Sequence, residues 1–406
     1  EIWAEVQHYM LLRDKVVIGT EVPVEYLGRE YLRVEESGRK GFKTRLSDKY
    51  IDSCLAVCNM ENCKPAETAG RQLQEVDSIL PNPTDVHIMR SGVGKLQFSR
   101  QEYPETLYSL KQCASVSHKG NTLTVGALKH LLRYMKSQRS SWQFLTVKEG
   151  TSMEDVKYLD VYVDSDWAGN PVTRKSTTCD VVEILDFVFE VNVYGQSVIA
   201  DSSGMAELIG ICSGTKDGLG LKIMLKEFGF DVQLRVRTDS SAARAMCLRL
   251  GHTGRTKHIE IRHLYVQSMV KEKKLEVVKE STLTNKADVG TKHFDAARLA
   301  YLRRRLGRAH RIDELFDQEG LEINSIEMQE EPCSYSLTAQ MAIGAGIGMG
   351  ILLSYTVVKL RSKCSKRLSS ASQAEASGTP EPKEIDKEVE IEKLLKLTQL
   401  ELKEFC

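Results

Sequence analysis

Four acidic residues within one 125-residue stretch constrain the fold of this chain more than any other feature. Asp164, Glu207, Asp239 and Asp288 each lie where an apolar run ends or a helical pattern begins. In an α/β sheet, the carboxyl ends of the strands present such side chains at one edge. Four carboxylates gathered there would repel each other unless a multivalent cation neutralised them. The pattern therefore predicts an α/β fold with a metal site and indicates a magnesium-dependent phosphodiester hydrolase.

Apolar runs and helical spacing alternate across the same stretch. We predict a central strand over 158–164, two further strands over 181–193 and 196–200, and a long helix over 205–228 that carries Glu207 in its first turn. Two more strands are predicted over 232–238 and 275–278, followed by a final helix over 285–306 that bears Asp288. This order predicts a mixed five-stranded sheet with flanking helices.

Five short motifs around these acids follow one another in a recognisable order. They are Asp164-Ser-Asp-Trp-Ala-Gly169, Ser202-Ser-Gly-Met-Ala-Glu207, Thr238-Asp-Ser-Ser-Ala242, Arg255-Thr-Lys-His-Ile-Glu-Ile261 and Lys286-Ala-Asp-Val-Gly-Thr-Lys292. Together they resemble the RNase H domain of copia-type retrotransposon Pol polyproteins. The resemblance implies an RNase H-like fold for residues 155–308.

The resemblance also implies an activity and a set of site residues. The expected enzyme is a ribonuclease H that cuts the RNA strand of RNA–DNA hybrids with two Mg²⁺ ions, Mn²⁺ being the alternative ion, and with no small-molecule cofactor. Asp164 would bridge both ions, Glu207 and Asp239 would hold the ion beneath the scissile phosphate, and Asp288 would hold the other. The residues expected to contact nucleic acid are Asn170, Arg174, Lys175, Ser202, Ser203, Arg255, Lys257 and Lys286.

Each acid also has a purely structural interpretation. Asp164 and Asp239 could cap the turns or helices that follow them, since Asp is common at such positions. Glu207 and Asp288 could be first-turn residues that interact favourably with a helix dipole. Asp166 stands two residues after Asp164, but we place it beyond the end of the strand and leave it out of the metal set.

Upstream motifs resemble the end of the same family's reverse transcriptase. Val24-Glu-Tyr-Leu-Gly-Arg29 and Lys49-Tyr-Ile-Asp52 lie in residues 1–80, an expected α+β remnant with one helix near 47–60. Residues 81–150 are expected to form a connection segment, largely helical over 85–140. The chain contains no Tyr-x-Asp-Asp tetrad, with which the polymerase holds its metals, so no polymerase activity is expected.

Charge and cysteine usage add two expectations. The formal net charge is zero, but residues 235–308 hold 18 Lys and Arg against 7 Asp and Glu, and an acidic linker follows over 309–335. The basic segment would suit a polyanion, although a solvated basic helix without a partner is the alternative. Ten cysteines without a framework spacing favour a reducing, intracellular compartment. Cys54, Cys58 and Cys63 invite a zinc interpretation, but no His lies nearby in the sequence, and Cys54 and Cys58 fall at core positions on a helix, which favours the core interpretation.

The C-terminal region is not covered by the resemblance. Residues 337–358 are uncharged and long enough to span a membrane as a helix, and their small-xxx-small pairs would allow helix–helix self-association. A basic and then Ser/Pro-rich linker over 359–382 and an amphipathic helix over 383–406 follow. A membrane anchor with the nuclease on the cytosolic side is one expectation, and a buried or aggregation-prone segment is the other. The alternative function is an inactive, transposon-derived nucleic-acid-binding module tethered to a membrane.

Overall fold

Two five-stranded sheets organise the part of the chain that the computed structural model describes, namely residues 17–71, 78–251 and 261–316. The segments predicted at 337–358, 359–382 and 383–406, and the greater part of the acidic linker, lie outside these residues. Within them, no helix has the length and the apolar character that crossing a membrane would require.

The first sheet is antiparallel and takes its strands from distant parts of the chain. Its strands, in the order β1-β2-β3-β4-β10, are β1 (Val24–Tyr26), β2 (Arg29–Glu36), β3 (Arg39–Leu46), β4 (Trp142–Lys148) and β10 (Arg308–Ala309). Both of the predicted N-terminal segments, 1–80 and 81–150, therefore contribute to one sheet. β10 also joins this sheet, although in the sequence it follows all the strands of the second sheet.

Four helices accompany the first sheet: α1 (Asp48–Leu55), α2 (Pro83–Leu96), α3 (Leu107–Ser115) and α4 (Thr122–Ser137). Short 3₁₀ turns extend or connect them at Ala56–Cys58, Gln97–Ser99, Pro104–Thr106 and Ser117–Lys119. These helices confirm the helical character predicted near 47–60 and over 85–140. Cys54 and Cys58 are buried in the core, as the core interpretation predicted.

The second sheet is mixed and has the strand order β7-β6-β5-β8-β9. β5 (Tyr158–Ser165) is central; it pairs antiparallel with β6 (Thr177–Ile184) and parallel with β8 (Gln233–Thr238). β7 (Phe187–Gly195) and β9 (Leu275–Lys279) form the two edges. Its helices are α5 (Ser203–Glu227), α6 (Ser241–Leu248), α7 (Tyr265–Lys271) and α8 (Ala296–Arg305), with 3₁₀ turns at Met153–Asp155, Ile261–His263, Lys286–Gly290 and Ile312–Leu315. This is the RNase H-like arrangement that the sequence predicts.

Two predicted elements are wrong in detail. The run 181–193 is not one strand, because the chain turns at Leu185, whose φ is +54°, and so ends β6 and begins β7; residues 196–200 form no strand. The predicted helix over 285–306 is two elements, a 3₁₀ helix that carries Asp288 and then α8, whose N-cap is Asp295.

Different layers cover the two faces of the second sheet. The face formed by Leu159, Val161 and Val163 packs against α5. The opposite face, which includes Tyr162 and Val181, shares a core with α1 to α4, α8 and the 3₁₀ helix Lys286–Gly290. The two sheets are therefore joined by a continuous apolar core.

Candidate metal centre

Asp164 and Asp239 lie side by side at the carboxyl edge of the second sheet. β5 and β8 run parallel, with Val163 opposite Thr238. The residues that follow this pair, Asp164 and Asp239, therefore lie on the same face of the sheet. Asp164 is buried, whereas Asp239, just beyond the end of β8, is partly exposed. The central pair of strands thus brings together the two acids predicted from the first and third motifs.

Glu207 reaches the same edge from α5, which begins at Ser203. The hydroxyl of Ser202 caps this helix by accepting the backbone N–H of Met205 at 3.2 Å, and Glu207 follows in the second turn rather than the first. A row of glycines at 210, 214 and 218 lets α5 lie close to β5. A Cβ at Gly214 would approach Val163 Cγ2 to 2.8 Å, so a larger residue there would require α5 to move outward.

One carboxylate oxygen from each of Asp164, Glu207 and Asp239 lies within 4.8 Å of the other two. Among the described residues this is the only set of three His, Cys, Asp or Glu side chains with such a spacing. Burial, then Asp164 and Asp239, raise the pKa of Glu207 to about 9, while the backbone amide of Ser165 lowers it. Burial, and then Asp288, raise the pKa of Asp164 to about 6, against the lowering effect of the Thr291 hydroxyl.

The donor set fits a hard divalent cation. All three donors are carboxylate oxygens, which Mg²⁺ and Mn²⁺ prefer, and three acids leave room for the waters that Mg²⁺ retains. Oε2 of Glu207 is buried and has no hydrogen-bond partner in the structure. A buried carboxylate oxygen without a partner is costly, and a bound cation would satisfy it.

Asp288 differs from the other three acids because it already has two cationic partners. It is 3% exposed; Lys292 Nζ lies 2.6 Å from its Oδ1, and Arg298 Nη2 lies 3.2 Å from its Oδ2. Thr291 connects this segment to the group of three by donating a hydrogen bond to Asp164 Oδ2. The fourth predicted acid therefore lies beside the group but is not one of its close members.

Most of the predicted nucleic-acid contacts that the structure describes lie at the same edge of the sheet. Asn170 shapes the β5–β6 loop by accepting the backbone N–H groups of Val172 at 3.0 Å and Thr173 at 2.8 Å. Arg174 and Lys175 are exposed on that loop, and Ser202 and Ser203 are exposed at the start of α5. Arg255 and Lys257 lie outside the described residues.

Lys286 was expected to contact nucleic acid, but the structure does not place its charge at the surface. The residue is 5% exposed, its ammonium group pairs with Glu183, and it lies 5.3 Å from the centre of the Tyr162 ring. The sequence could not reveal this partner, because Glu183 lies 103 residues earlier on β6.

The basic segment over 235–308 is also partly neutralised within the fold. Arg235 forms a bidentate pair with Asp160, at 2.6 and 2.8 Å, and Arg237 adds a third contact at 2.8 Å. Arg308 is fully buried, with its Nε 3.2 Å from Glu105. The excess of positive charge in the sequence therefore overstates the positive charge that is free to meet a polyanion.

Asp166 lies just beyond the end of β5, as its position in the sequence predicts. β5 ends at Ser165, and Asp166 Oδ1 accepts the backbone N–H of Thr177 at 2.6 Å. This bond closes the base of the β5–β6 loop, and Asp166 is not a member of the group of three acids.

Three residues of the site were not predicted. Trp167 is 54% exposed, and its indole N–H donates to the carbonyl of Ala200 at 3.1 Å, so the loop is tied to the segment before α5. Thr291 contacts Asp164 directly, and Lys292 contacts Asp288 directly. The four-residue spacing between Asp288 and Lys292 was visible within the last motif and is typical of an ion pair.

The strand order and the three converging carboxylates define an RNase H-like domain with a candidate cation site. Homologues of the chain include Pol polyproteins of copia-type transposons, the family that the five motifs indicated. It is 25% identical over 265 residues to the retrovirus-related Pol polyprotein from transposon RE2 of Arabidopsis thaliana, covering 64% of this chain and 18% of that protein. It is 27% identical over 281 residues to the polyprotein from transposon TNT 1-94 of Nicotiana tabacum, covering 66% and 20% respectively.

The chain spans a fifth or less of the length of these polyproteins. An uncharacterized mitochondrial protein of Arabidopsis thaliana is 30% identical over 162 residues, which is 38% of this chain and 61% of that protein. Among solved structures, RNase H1 from the halophilic archaeon Halobacterium salinarum NRC-1 gives a TM-score of 0.25 at 16% identity, covering 33% of this chain and 94% of that chain. No protein-family model matches the chain.

Proposed function

We propose that this chain is a divalent-cation-dependent endonuclease that cleaves the RNA strand of RNA–DNA hybrids. The observation that carries the proposal is the convergence of Asp164, Glu207 and Asp239 within 4.8 Å at the carboxyl edge of the sheet. A buried, unpartnered oxygen on Glu207 supports a cation as the missing partner. The relationship to transposon Pol polyproteins supports a nucleic acid as the substrate.

The three acids would hold the cation, with Mg²⁺ as the physiological choice and Mn²⁺ as a substitute. Once bound, such an ion activates a water molecule for attack on phosphorus and stabilises the leaving oxygen. The expected products carry a 5′ phosphate and a 3′ hydroxyl. Because burial and the two neighbouring aspartates raise the pKa of Glu207 to about 9, its carboxyl group holds a proton at neutral pH without a cation. Cation binding should therefore release that proton.

The exposed residues at the same edge would position the hybrid. Arg174 and Lys175 offer positive charge to phosphates, and the start of α5 offers the hydroxyl groups of Ser202 and Ser203. Hydroxyl and amide groups near the cation can bond to a ribose 2′-hydroxyl, which distinguishes RNA from DNA. The hydrogen bond from Trp167 to Ala200 keeps the two segments together, so that both can contact one duplex.

A second candidate function is binding of nucleic acid without cleavage. The ion pairs of Asp288 with Lys292 and Arg298 favour it, because they neutralise an acid that the RNase H resemblance assigns to a second ion. Attachment of such a module to a membrane depends on residues 337–358, which lie outside the described residues, and stays a prediction.

A cleavage assay on the full 406-residue chain separates the two functions. We expect cutting of the RNA strand of a labelled hybrid with Mg²⁺ and none with a chelator, and no cutting of a DNA duplex of the same sequence. Asp239→Asn should abolish cleavage and retain the fold. The matched control is Asp166→Asn, which should keep most of the activity because Asp166 bonds Thr177 rather than a cation. Binding without cleavage by the wild-type chain would support the second function, and equal cleavage by wild type and Asp239→Asn would refute the first.

A further inference from the structure

The two cations beside Asp288 are held in different ways. Arg298 donates to the backbone carbonyl of Leu283 at 2.8 Å as well as to Asp288, and its guanidinium group lies 5.1 Å from the centre of the Tyr301 ring. It therefore also has a structural role, since it fastens α8 to the loop before the 3₁₀ helix. The ammonium group of Lys292 bonds Asp288 Oδ1 at 2.6 Å from a side chain that is half exposed.

The charge of Lys292 affects Asp164 as well as its direct partner Asp288. Its positive charge lowers the pKa of Asp164, while Asp288 raises it, so the ammonium group lies within electrostatic reach of the central acid. Thr291, the neighbouring residue, is hydrogen-bonded to Asp164. Lys292 is thus at the boundary between the group of three acids and Asp288.

The charges of the site can be balanced without a second divalent ion. Asp164, Glu207 and Asp239 lie close enough to share one cation, and Asp288 is neutralised by Lys292 and Arg298. An ammonium group is a compact charge with three donors and can face a carboxylate and a phosphate oxygen at once. A metal ion at Asp288 would have to displace it.

We propose that the ammonium group of Lys292 occupies the second cation position of this site, so that the chain binds one divalent ion and not two. This inference rests on the proposed function, because it presumes a cation at the three acids. It makes Lys292 a positioning residue that fixes the charge beside Asp288.

Counting bound ions tests the proposal without reference to catalysis. Mn²⁺ would be titrated into the full chain by calorimetry, with free Mn²⁺ followed by electron paramagnetic resonance, and the fold of each variant checked by circular dichroism. We expect one ion per wild-type chain and two per Lys292→Met chain, since methionine keeps an unbranched side chain only one atom shorter and removes its charge. In the double variant Asp239→Asn/Lys292→Met, the first ion should be lost and the second retained.

Two controls separate the position of the charge from its amount. Lys292→Arg keeps a cation beside Asp288 and should bind one ion. Lys274→Met removes one positive charge from the amino end of β9, where Lys274 pairs with exposed Glu272, and should also bind one ion. Two ions in the wild type, or one in Lys292→Met, would overturn the inference and leave the proposed function standing. No Mn²⁺ bound to either chain would overturn both.

Discussion

The hydroxyl group of Thr291 donates a hydrogen bond to Oδ2 of Asp164 and so joins the last predicted motif to the first acid across 127 residues. The bond holds the carboxylate at the carboxyl edge of β5, close to the carboxylates of Glu207 and Asp239. It also stabilises the ionised form of Asp164 against the effect of burial. Thr291 is therefore expected to control the protonation of the central acid.

Thr291→Val should weaken divalent-cation binding more at pH 6.5 than at pH 9. Loss of the hydroxyl raises the pKa of Asp164 above its present value of about 6, so more of the carboxyl is protonated at pH 6–7 and a proton must leave when the ion binds. At pH 6.5 we expect the Mn²⁺ affinity to fall by roughly threefold if the pKa rises by one unit, and by a factor approaching ten for each further unit. Calorimetry at pH 6.5 and pH 9 measures this. Thr291→Ser keeps the hydroxyl and should behave like wild type, whereas an equal loss at both pH values would point to a structural effect.

Glu207→Gln should stabilise the metal-free chain at alkaline pH. The folded-state pKa of Glu207, about 9, lies above the unfolded value, so the folded state binds more protons and stability falls as the pH rises from about 4 towards 9. The amide removes this loss. With a chelator at pH 8.5 we expect the melting temperature to rise above that of wild type, by about 2–4 °C for each kcal/mol of stability that the amide restores in a domain of this size.

The same substitution should remove the stabilisation that Mg²⁺ gives to the wild type. Glu227→Gln, at the exposed C-terminal end of the same helix, is the control and should change neither melting curve. Melting of the Glu207→Gln chain below wild type at pH 8.5 without metal would argue against a protonated Glu207.

Gly214→Ala should reduce cation affinity although it changes none of the acidic residues. The added Cβ would meet Val163 Cγ2 at 2.8 Å and Val161 Cγ1 at 3.0 Å, so α5 must move away from β5 and carry Glu207 with it. Overpacking of this kind costs about 1–3 kcal/mol of stability. Chemical denaturation and Mn²⁺ titration measure the two effects.

Gly220 lies on the same helix and offers a matched control. A Cβ there meets nothing within 4 Å, so Gly220→Ala should stabilise the chain by up to about 1 kcal/mol through helix propensity and leave cation binding unchanged. If both alanine variants bound Mn²⁺ like wild type, the distance between α5 and β5 would not control the site.

Hybrid binding should depend on the exposed loop cations and not on Lys286. Substituting both Arg174 and Lys175 by Gln removes two positive charges that would face phosphates, and should lower the slope of log affinity against log salt by about 1 for each phosphate that is no longer neutralised. Lys286→Met should leave that slope unchanged and instead destabilise the fold by about 3–5 kcal/mol, because it leaves Glu183 charged and buried. Fluorescence anisotropy over a range of salt concentrations, with a metal chelator present, distinguishes these outcomes.

The parts of the site that the sequence predicted depend on local patterns. The apolar run before Asp164 and the run before Asp239 each mark a strand, and the helical spacing over 205–228 marks the helix that carries Glu207. The turn at Leu185 was missed because it contains neither glycine nor proline and interrupts an almost continuous apolar run. The burial of Lys286 was missed for a different reason. Its partner Glu183 is 103 residues away in the sequence and comes close to it only in the folded state.

β10 has a consequence for the order in which this chain can fold during synthesis. Arg308 donates to the carbonyl of Gln138 at 2.9 Å across 170 residues, and its guanidinium group lies 3.6 Å from the centre of the Tyr103 ring. On a ribosome that adds about 5–20 residues per second, β4 waits on the order of ten seconds or more for this neighbour. During that interval Glu105 has no arginine beside it and the edge of β4 is open to other strands. A chain released with its end between Lys279 and Arg308 would therefore contain every strand of the second sheet and still expose the edge of β4 to mispairing.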